Sequence, residues 1–364
     1  MLRCGDRFRA EFERNETRGT MKRWLLIAGD FTPLGGMDRA NYGLATYLAR
    51  RAGAEVHLVT HRAWPDLQAL PTVKIHEVAR PWGKHMLGAP LLSRVGRREA
   101  CRLTRAERGT RVVVNGGNCV WGDVNWVHYV HAAWQDRQDG TVSKRMKRIA
   151  FSRSARAAER SALGRACVVV ANSERTRADV IAHYGLAPER VHTVYYGIDA
   201  ARFRPASPDE RAMTRERLGW NDDRPTVVFV GALGDSRKGF DTLFEAWRLL
   251  TVDPGWDARL AVVGSGAMFD HWRSEAQSRG LASSIEFLGF CDDVAAILCA
   301  CDALVSPARY EAYGLNVHEA ICCGLPALVS ASAGVAERYP EVLTDLLGLS
   351  RAEIAQRRAA GAFG

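Results

Sequence analysis

Short apolar runs alternate with longer amphipathic stretches along most of the chain. The runs in the first half are Trp24–Ala28, Glu55–Thr60, Val73–Val78, Arg111–Val114, Val124–Val130 and Cys167–Ala171. Those in the second half are Val227–Val230, Leu260–Val263, Ile285–Leu288, Ala303–Val305 and Ala327–Val329. Strands that alternate with helices indicate a mostly parallel sheet covered on both faces. The pattern therefore predicts an α/β fold made of two doubly wound halves.

A polar, proline-marked segment separates the two halves and is interpreted as a linker. The expected N-terminal domain covers residues 21–200, the linker 201–225 and the C-terminal domain 226–345. Residues 1–20 are charged and lack an apolar stripe, so we expect them to be disordered. We expect Met21 to be a more natural start of the working protein.

Composition narrows the class of protein without selecting a function. The 364 residues are 47% hydrophobic and 25% charged, ordinary values for a globular protein. No run of 18 or more apolar residues occurs, so no membrane-spanning helix is expected. Nine cysteines without a CxxC pair argue against zinc and a disulfide framework, and Cys322-Cys323 is interpreted as a helix-packing pair in a reduced, cytoplasmic protein. The 50 Lys and Arg against 41 Asp and Glu give a charge of +9, which favours anionic partners.

Ligands of parallel sheets bind where the strands end, so the polar residues after each apolar run are the candidates. Gly35-Gly36 follows the first run and precedes an amphipathic stretch from Asp38 to Arg51. These glycines would bring backbone N–H groups against a phosphate or an acceptor hydroxyl, and a tight turn without a ligand is the alternative. A G-x-G-x-x-G fingerprint is absent, which argues against a nicotinamide dehydrogenase.

Two histidines lie near the end of the run Val124–Val130, His128 within it and His131 just after it. Period-two alternation would place His128 and His131 on opposite faces of a strand. His131 is the better candidate for a catalytic cleft and His128 for the core or a domain interface. A structural role for His131 stays open.

The segment Lys144–Arg165 carries eight Lys or Arg against one acid. A basic helix of this kind suits an anionic membrane surface. Its apolar side is alanine-rich, so a solvated helix face is the favoured interpretation.

The first loop of the second half combines glycines with two cations. It reads Gly231-Ala232-Leu233-Gly234-Asp235-Ser236-Arg237-Lys238-Gly239 and leads into a predicted helix at Phe240–Leu250. Lysine and arginine beside a helix N-terminus suit a diphosphate, with a solvated turn as the alternative. Gly264-Ser265-Gly266 predicts a simple turn near the nucleotide. Asp292-Asp293 is interpreted as a helix cap rather than a metal site.

Two carboxylates flank a glycine in the stretch Ser306–Glu319. Glu311 is expected in the loop that leaves a buried strand and Glu319 about two turns inside the next helix. Gly314 would let backbone N–H groups approach an anion at the positive helix N-terminus. The arrangement suits a ligand that carries phosphate and sugar hydroxyls.

These pieces occur in one order over residues 21–340, and in that order the chain resembles the family-4 retaining glycosyltransferases of the GT-B type. The matching pieces are Gly35-Gly36, Asn172-Ser173, Gly197-Ile198-Asp199, Phe203, Pro205, Val230-Gly231, Lys238-Gly239, Val263-Gly264-Ser265-Gly266, Leu288-Gly289, Pro307, Glu311, Glu319-Ala320, Gly324 and Pro326. The resemblance implies two Rossmann-like domains whose parallel sheets face a central cleft.

The resemblance also implies roles for single residues. Lys238 would neutralise the donor diphosphate with help from Arg237, and Glu319 would hydrogen-bond the nucleotide ribose. Glu311 would contact the transferred sugar, and the backbone of Gly314-Leu315 the phosphate or sugar. No metal ion or further cofactor is implied, because fixed cations and helix dipoles stabilise the leaving nucleoside diphosphate.

The chain departs from the family pattern at three places. Ala232 stands where many members carry arginine, and Arg237 is expected to compensate. The family's cleft histidine often follows an earlier strand, which corresponds to Asn115–Asn118 here. The tail 346–364 is expected to be short for a closing helix, with impaired packing or activity as the hypothesis.

The first functional hypothesis is transfer of a hexose from a UDP- or GDP-sugar to a glycan, a lipid-linked or a small-molecule acceptor, in polysaccharide or glycoconjugate synthesis. The alternatives are an impaired nucleotide-sugar-binding protein and another GT-B enzyme such as an epimerase or phosphorylase. Nucleic-acid binding is disfavoured because the basic residues are scattered. We expect a cytoplasmic location, and peripheral contact with the inner membrane face stays open.

Overall fold

The computed structural model describes residues 23–107, 109–134 and 142–339. The chain divides between Tyr196 and Gly197 into two compact units, here named unit 1 and unit 2. The expectations for the N-terminal segment 1–20 and the C-terminal tail 346–364 lie outside the described residues.

Unit 1 is built on a seven-stranded parallel sheet with the order β5-β3-β1-β6-β7-β8-β9. Its strands are β1 (Arg23–Ile27), β3 (Glu55–Thr60), β5 (Val73–Glu77), β6 (Arg111–Asn115), β7 (Val124–Val127), β8 (Val168–Ala171) and β9 (Val191–Thr193). A separate two-stranded parallel sheet contains β2 (Asp30–Phe31) and β4 (Arg62–Ala63). The α-helices of unit 1 are α1 (Met37–Arg50), α2 (Pro65–Gln68), α3 (His85–Ala106), α4 (Val142–Arg165) and α5 (Glu174–Tyr184).

Unit 2 is built on a five-stranded parallel sheet with the order β12-β11-β10-β13-β14. Its strands are β10 (Thr226–Val230), β11 (Arg259–Val263), β12 (Ile285–Gly289), β13 (Ala303–Ser306) and β14 (Ala327–Val329). Its α-helices are α6 (Pro208–Arg217), α7 (Phe240–Leu250), α8 (Phe269–Ser278), α9 (Val294–Ala300) and α10 (Leu315–Cys322). Short 3₁₀ helices occur at Pro81–Gly83, Gly116–Asn118, Pro188–Arg190, Ser236–Lys238 and Gly334–Arg338.

The strands form where the sequence predicts them because apolar, mostly β-branched runs bury both faces of each sheet. All five residues of β6 and of β11 are buried. Helix α7 buries Phe240, Leu243, Phe244 and Trp247, the spacing of one helical face. The predicted α/β class with parallel sheets is confirmed.

The predicted linker 201–225 differs from the structure. It belongs to unit 2 and contains α6, which begins at a capping box formed by Ser207 and Glu210. Phe203 and Trp220 at its two ends are buried in the core of unit 2. The segment looks polar in the sequence because the helix between these two buried residues exposes most of its charged side chains.

Strand β7 ends at Val127, three residues before the end of the predicted run. His128 and His131 therefore lie beyond the strand, and the alternation argument does not apply to them. Their environments are set instead by α4, α5 and the residues after β9, which the local pattern does not report.

Candidate functional site

The loop after β10 carries Lys238 to the N-terminus of α7. Residues Ser236–Lys238 form a 3₁₀ turn, and Gly239 ends it in the left-handed conformation at φ 70° before α7 begins. A residue with a side chain is strained at that angle. The Lys238 stem folds back over the loop, with its Cδ 3.7 Å from the place where a Cβ on Gly231 would lie.

Three strand-end loops of unit 2 meet through glycines that have no room for a side chain. A Cβ on Gly239 would lie 2.0 Å from the carbonyl oxygen of Pro307, and one on Gly264 would lie 2.0 Å from that of Gly231. At Gly266 the corresponding distance to the Leu233 carbonyl oxygen is 1.9 Å. The loops after β10, β11 and β13 are thus in backbone contact. Gly264 and Gly266, which the sequence suggested only as a turn, are a packing requirement of this site.

Arg309 fastens the loop after β13 onto the start of α7. Its guanidinium donates two parallel hydrogen bonds to the Asp241 carboxylate, at 2.6 and 2.7 Å, and another to the Thr242 hydroxyl at 2.7 Å. Its backbone N–H donates to the Arg237 carbonyl at 2.7 Å. Bidentate pairing of this kind fixes geometry as well as charge. It holds the Glu311 loop beside the Lys238 loop.

Lys238 and Glu311 are brought into direct contact by this arrangement. The Lys238 ammonium donates to Oε2 of Glu311, and both side chains are partly exposed. The Glu311 backbone is also anchored: its carbonyl accepts from Gly334 at 2.9 Å, and a parallel bridge joins it to Ala333. A cation and a carboxylate predicted from separate motifs therefore form one polar centre.

Arg237 pairs with a carboxylate of its own loop. Its side chain pairs with Asp235 at 2.8 Å through Nε and at 2.5 Å through Nη2. Burial opposes ionisation of Asp235, but the hydrogen bonds and charge of Arg237 outweigh it, so the pKa of this carboxyl lies below its usual range. The arginine charge is locally offset.

Helix α10 starts at the edge of the same centre. Gly314 is its N-cap at φ 111°, and Leu315 is its first residue. The Asn316 side chain donates to the Val230 carbonyl at 3.0 Å, which ties the helix start to the end of β10. Glu319 lies one turn inside the helix, not two, and is buried with 5% of its surface exposed. The expected depth of two turns was wrong because Gly314, in the left-handed conformation, starts the helix only at Leu315.

In unit 1, His131 is held by a buried carboxylate from α4. Its Nδ1–H donates to Oε1 of Glu159 at 2.5 Å, and its backbone N–H donates to Oε2 at 3.0 Å. The Tyr184 hydroxyl also donates to Glu159, and burial together with that carboxylate raises the pKa of the phenol. When the imidazole is neutral, this contact places its proton on Nδ1 and leaves Nε2 as an acceptor. The imidazole is half-buried.

His128 has the core environment expected of it. Its Nδ1 contacts the Tyr196 hydroxyl, and its carbonyl accepts from Asn172 at 3.2 Å. Burial lowers the pKa of His128 to about 3. The imidazole is therefore neutral at physiological pH and serves structure.

The Gly35-Gly36 turn is followed by Asp38, a carboxyl group with a raised pKa. Gly35 has φ 76° and open space around it, and Gly36 is the N-cap of α1. Burial, with the nearby Asp30 carboxylate, raises the pKa of Asp38 to about 6 against the opposing charges of Arg62 and Arg80. Asp30 itself accepts from Arg80 at 2.6 Å.

The predicted residues thus form two groups. One lies at the strand ends of unit 2: Gly231, Lys238, Gly264, Glu311, Gly314, Leu315 and Glu319, with Arg237 beside it. The other lies in unit 1: Gly35, Gly36 and His131. Sequence reasoning missed the residues that position them, namely Glu159, Asp241, Arg309 and Asn316. Arg309 stands two residues before Glu311, which was the one available signal.

Two further α-helices begin at side-chain caps, and the cap at Asp293 was predicted from the sequence. The Ser173 and Asp293 side chains accept hydrogen bonds from the N–H groups of Thr176 and Ala296, at 3.0 and 3.2 Å. Among the described residues, no group of three or more His, Cys, Asp or Glu side chains is arranged to hold a metal ion. Within the same residues no helix has the length and apolar character needed to cross a membrane.

Two protein-family models match this chain, one in each unit. The model of the glycosyltransferase family 4 matches residues 34–202, and that of the glycosyl transferases group 1 matches residues 210–341. A D-inositol 3-phosphate glycosyltransferase from Actinosynnema mirum is 30% identical over 370 residues, covering 90% of this chain and 85% of the relative.

Another relative is similar over a shorter region. A GDP-mannose-dependent monoacylated alpha-(1-6)-phosphatidylinositol monomannoside mannosyltransferase from Corynebacterium glutamicum is 35% identical over 167 residues, 42% of this chain. The match spans 40% of that relative, so the chain covers less than half of its length.

Solved structures agree with the fold. The lipopolysaccharide glycosyltransferase WaaG superposes with a TM-score of 0.69 at 23% identity, covering 86% of this chain and 83% of WaaG. Anabaena HepE, solved in complex with UDP, gives a TM-score of 0.65 at 20% identity, covering 93% and 89% of the two chains. With matches to both family models and a relative aligned over nearly its whole length, this chain belongs to the family-4 glycosyltransferases of the GT-B type.

Proposed function

We propose that this protein transfers a hexose from a UDP- or GDP-sugar to a glycan, lipid-linked or small-molecule acceptor, with retention of the anomeric configuration. The observation that carries the proposal is the contact between Lys238 and Glu311 where three strand-end loops of unit 2 meet. The cation suits the diphosphate end of a sugar nucleotide, and the carboxylate suits the hydroxyl groups of its sugar. Both lie beside the N-termini of α7 and α10.

In this proposal Lys238 acts on the leaving group, the nucleoside diphosphate. When the bond between the sugar and the diphosphate breaks, negative charge grows on the diphosphate oxygens. A fixed ammonium at the N-terminus of α7 and the positive end of α10 stabilise that charge without needing to reorient. In the absence of donor, Glu311 holds the ammonium in place. With donor bound, the ammonium passes to the phosphate and the carboxylate is released to the sugar hydroxyls.

The rest of the donor is assigned by position. Glu319, one turn into α10, accepts hydrogen bonds from the ribose hydroxyls. The backbone at Gly314 and Leu315 faces the phosphate or sugar, and Gly231 and Gly264 let the chain approach the nucleotide closely. The reaction needs no resident metal ion in this scheme, because Lys238 and the helix dipoles supply the positive charge. Retention follows from departure of the diphosphate and entry of the acceptor on one face.

The acceptor is assigned to unit 1, where Gly35, Gly36 and His131 lie. The Nε2 of His131 accepts a hydrogen bond from a sugar hydroxyl, and the Gly35-Gly36 backbone donates to the acceptor. Two relatives support a polyol or lipid-linked acceptor by their names, which specify inositol 3-phosphate and an acylated phosphatidylinositol mannoside for those proteins. We propose synthesis of a polysaccharide or glycoconjugate on the cytoplasmic side as the setting.

A second candidate, nucleotide-sugar binding without turnover, is favoured by one observation. Ala232 supplies no cation after β10, and Arg237, the expected substitute, is paired with Asp235. One lysine would then have to offset the diphosphate alone. Binding would survive that loss better than catalysis does, because catalysis depends on charge that develops only in the transition state.

The test is a transfer assay on the full chain with a panel of UDP- and GDP-sugars, together with calorimetric binding of UDP and GDP. Lys238→Ala is expected to lower turnover at least about a hundredfold, the scale of a lost electrostatic donor. Lys74→Ala is the matched control, because Lys74 also donates to a glutamate, Glu55, but at a sheet edge of unit 1. Near-normal turnover of Lys238→Ala would refute its role.

The remaining outcomes separate the candidates. Transfer with an α-linked product from an α-linked donor, read by NMR, supports the retaining enzyme, and an inverted product refutes retention. Nucleotide binding without transfer selects the second candidate. Neither binding nor transfer across the panel would overturn both.

A further inference from the structure

The C-terminal ends of α9 and α10 bring four cysteines into one part of unit 2. Cys299 lies in the last turn of α9, Cys301 follows that helix, and Cys322 and Cys323 close α10. Cys301 and Cys323 belong to the buried core that both helices cover, and the other two pack against it. The proposed function uses none of these thiols, which lie at the opposite end of α10 from Gly314.

Cys299 and Cys323 are in direct contact within this group. The Cys299 Sγ–H donates to the Arg204 carbonyl at 3.2 Å. The Cys323 thiol hydrogen-bonds with Cys299, and because the Cys299 proton is directed to Arg204, Cys323 is the donor. A second contact brings the same segments together, since a Cβ on Gly324 would lie 3.6 Å from Cγ of Pro205. Two sulfurs from different helices therefore meet beside one backbone segment.

The two thiols differ in their access to solvent. Cys299 is half-buried, whereas Cys323 is buried with 7% of its surface exposed. Burial raises the pKa of Cys323, and the neighbouring Cys299 raises it further, so Cys323 stays protonated at neutral pH. A dissolved reagent therefore reaches Cys299 first. Cys323 is the thiol placed to react with whatever forms on Cys299.

We propose that Cys299 and Cys323 are an oxidative modification site, at which hydrogen peroxide closes a reversible disulfide between α9 and α10. The Cys299 thiolate attacks one peroxide oxygen, so an S–O bond forms and the O–O bond breaks with release of hydroxide. The Cys323 sulfur then attacks the sulfenic acid on Cys299. The S–S bond forms, the S–O bond breaks, and the departing hydroxide takes the Cys323 proton as water. The two sulfurs supply the two electrons that reduce the peroxide.

The neighbouring cysteines fit this role less well. The Cα atoms of consecutive residues such as Cys322 and Cys323 are about 3.8 Å apart, below the roughly 4.4 Å at which ordinary disulfides begin. Cys301 is 2% exposed, and burial raises its pKa to about 12, so it lacks the access that Cys299 has. In a reducing compartment a disulfide of this kind is transient, which suits a sensor rather than a structural cross-link.

The disulfide would act on α10. The Cys323 backbone N–H donates to the Glu319 carbonyl at 3.0 Å, so the two residues share the last turn. Disulfide sulfurs are about 2.05 Å apart, closer than hydrogen-bonded thiols, so closure draws this turn toward α9. A misplacement of about 1 Å can cost about a hundredfold. This consequence rests on the proposed function, in which Glu319 binds the ribose, whereas formation of the disulfide does not.

The experiment maps the cross-link in the full chain treated with hydrogen peroxide. Free thiols are blocked with iodoacetamide, and trypsin then cleaves after Arg309, between the two cysteines. Cys299 falls in the tryptic peptide 280–309 and Cys323 in the peptide 310–338. Mass spectrometry is expected to show these peptides joined, and dithiothreitol should separate them. Absence of the joined peptides at peroxide concentrations that oxidise Cys101, an exposed thiol, would overturn the proposal.

Four variants identify the two sulfurs. Cys299→Ser and Cys323→Ala should each abolish the joined peptides. Cys291→Ser and Cys322→Ser are the matched controls, because each removes a half-buried thiol from one of the same two peptides and should leave the cross-link intact. A joined product that persists in Cys299→Ser, or that is lost in Cys322→Ser, would overturn the assignment. Thermal melting in dithiothreitol shows which variants are folded, and Cys299→Ser, at a half-buried position, decides the result if Cys323→Ala unfolds.

Calorimetric binding of UDP and GDP, in dithiothreitol and after oxidation, tests the effect on α10. The wild type is expected to lose about tenfold in affinity on oxidation and to recover it on reduction, and Cys299→Ser should not change. Unchanged affinity in a fully cross-linked sample would overturn the coupling to α10. If the reduced chain binds neither nucleotide, the proposed function fails, while the joined peptides still decide whether the disulfide forms.

Discussion

The polar centres of the two units are held in opposite ways. In unit 2 the loops after β10, β11 and β13 touch each other directly, and Lys238, Glu311 and Arg309 are positioned by neighbours in those loops. In unit 1 the contact that positions a candidate residue comes from a helix. Glu159 of α4 orients His131, and Asp38 lies in the first turn of α1, apart from it.

This difference indicates which unit better tolerates substitutions around its polar residues. A centre made of loops in backbone contact has little freedom to move, so under the proposed function its geometry would be preset before the donor arrives. A centre made of separately supported side chains can vary one support at a time. In the proposed function unit 1 takes the acceptor, and acceptors differ far more in shape than nucleoside diphosphates do. Separately supported side chains would suit that variety.

The largest expected effect comes from adding one methyl group at a loop contact. Gly264→Ala places a Cβ 2.0 Å from the Gly231 carbonyl at φ 136°, so the backbone must move. We expect loss of about 3 kcal/mol or more of unfolding free energy and no measurable turnover. Gly35→Ala is the matched change in unit 1, where φ is 76° but the space is open, and should cost about 1–2 kcal/mol. Equal losses in urea unfolding would break the comparison.

The next effect concerns the clamp between loops. Arg309→Lys keeps the charge but loses the bidentate pair with Asp241, so the Glu311 loop shifts relative to Lys238. Turnover is expected to fall about a hundredfold, the scale of a misplacement of about 1 Å. Arg211→Lys, which alters a hydrogen bond to Asp302 and others to the Cys299 and Cys301 carbonyls away from the loops, should leave turnover within a few-fold. A comparable fall in both variants would mean that general loosening, not loop position, is responsible.

In unit 1 the support of His131 should matter less. Glu159→Gln replaces an acceptor by an amide that favours the other imidazole tautomer, and we expect turnover to fall about 10–100-fold. Tyr184→Phe removes the other side-chain partner of Glu159 and is the control for stability alone. If Glu159 acts through His131, Glu159→Gln adds nothing to His131→Ala. Additive losses in the double variant would contradict that.

The smallest effect is a gain. The pKa of Asp38 is raised to about 6 in the folded protein, so its ionised form destabilises the fold at neutral pH. Asp38→Asn should add about 1–2 kcal/mol to the unfolding free energy after allowance for partial exposure. The folded state binds the extra proton between pH 3.8 and 6, so the gain is absent below pH 3.8, grows through that window and is constant above it. Urea unfolding across pH checks this, and a gain independent of pH would point to another cause.

Much of the fold could be predicted from the pattern of residues, because strand and helix periods are local properties. The helix at Phe240–Leu250 was placed at its observed bounds, and the basic segment at Lys144–Arg165 lies within α4. The supports of the site could not be predicted. Asp241 and Arg309 are 68 residues apart, and His131 and Glu159 are 28 apart, so no local period relates them.

The sequence by itself determined where most strands run, which glycines open the loops, and that Lys238 and Glu311 match the pattern of the glycosyltransferase family. These properties depend on residue type and spacing along the chain. Only the tertiary structure decided which distant charges meet: that Glu311 takes Lys238 and that Glu159 takes His131. The reason is that a strand-end loop makes its contacts with the loop of a neighbouring strand, and strand neighbours are set by the order of the sheet rather than by the order of the chain.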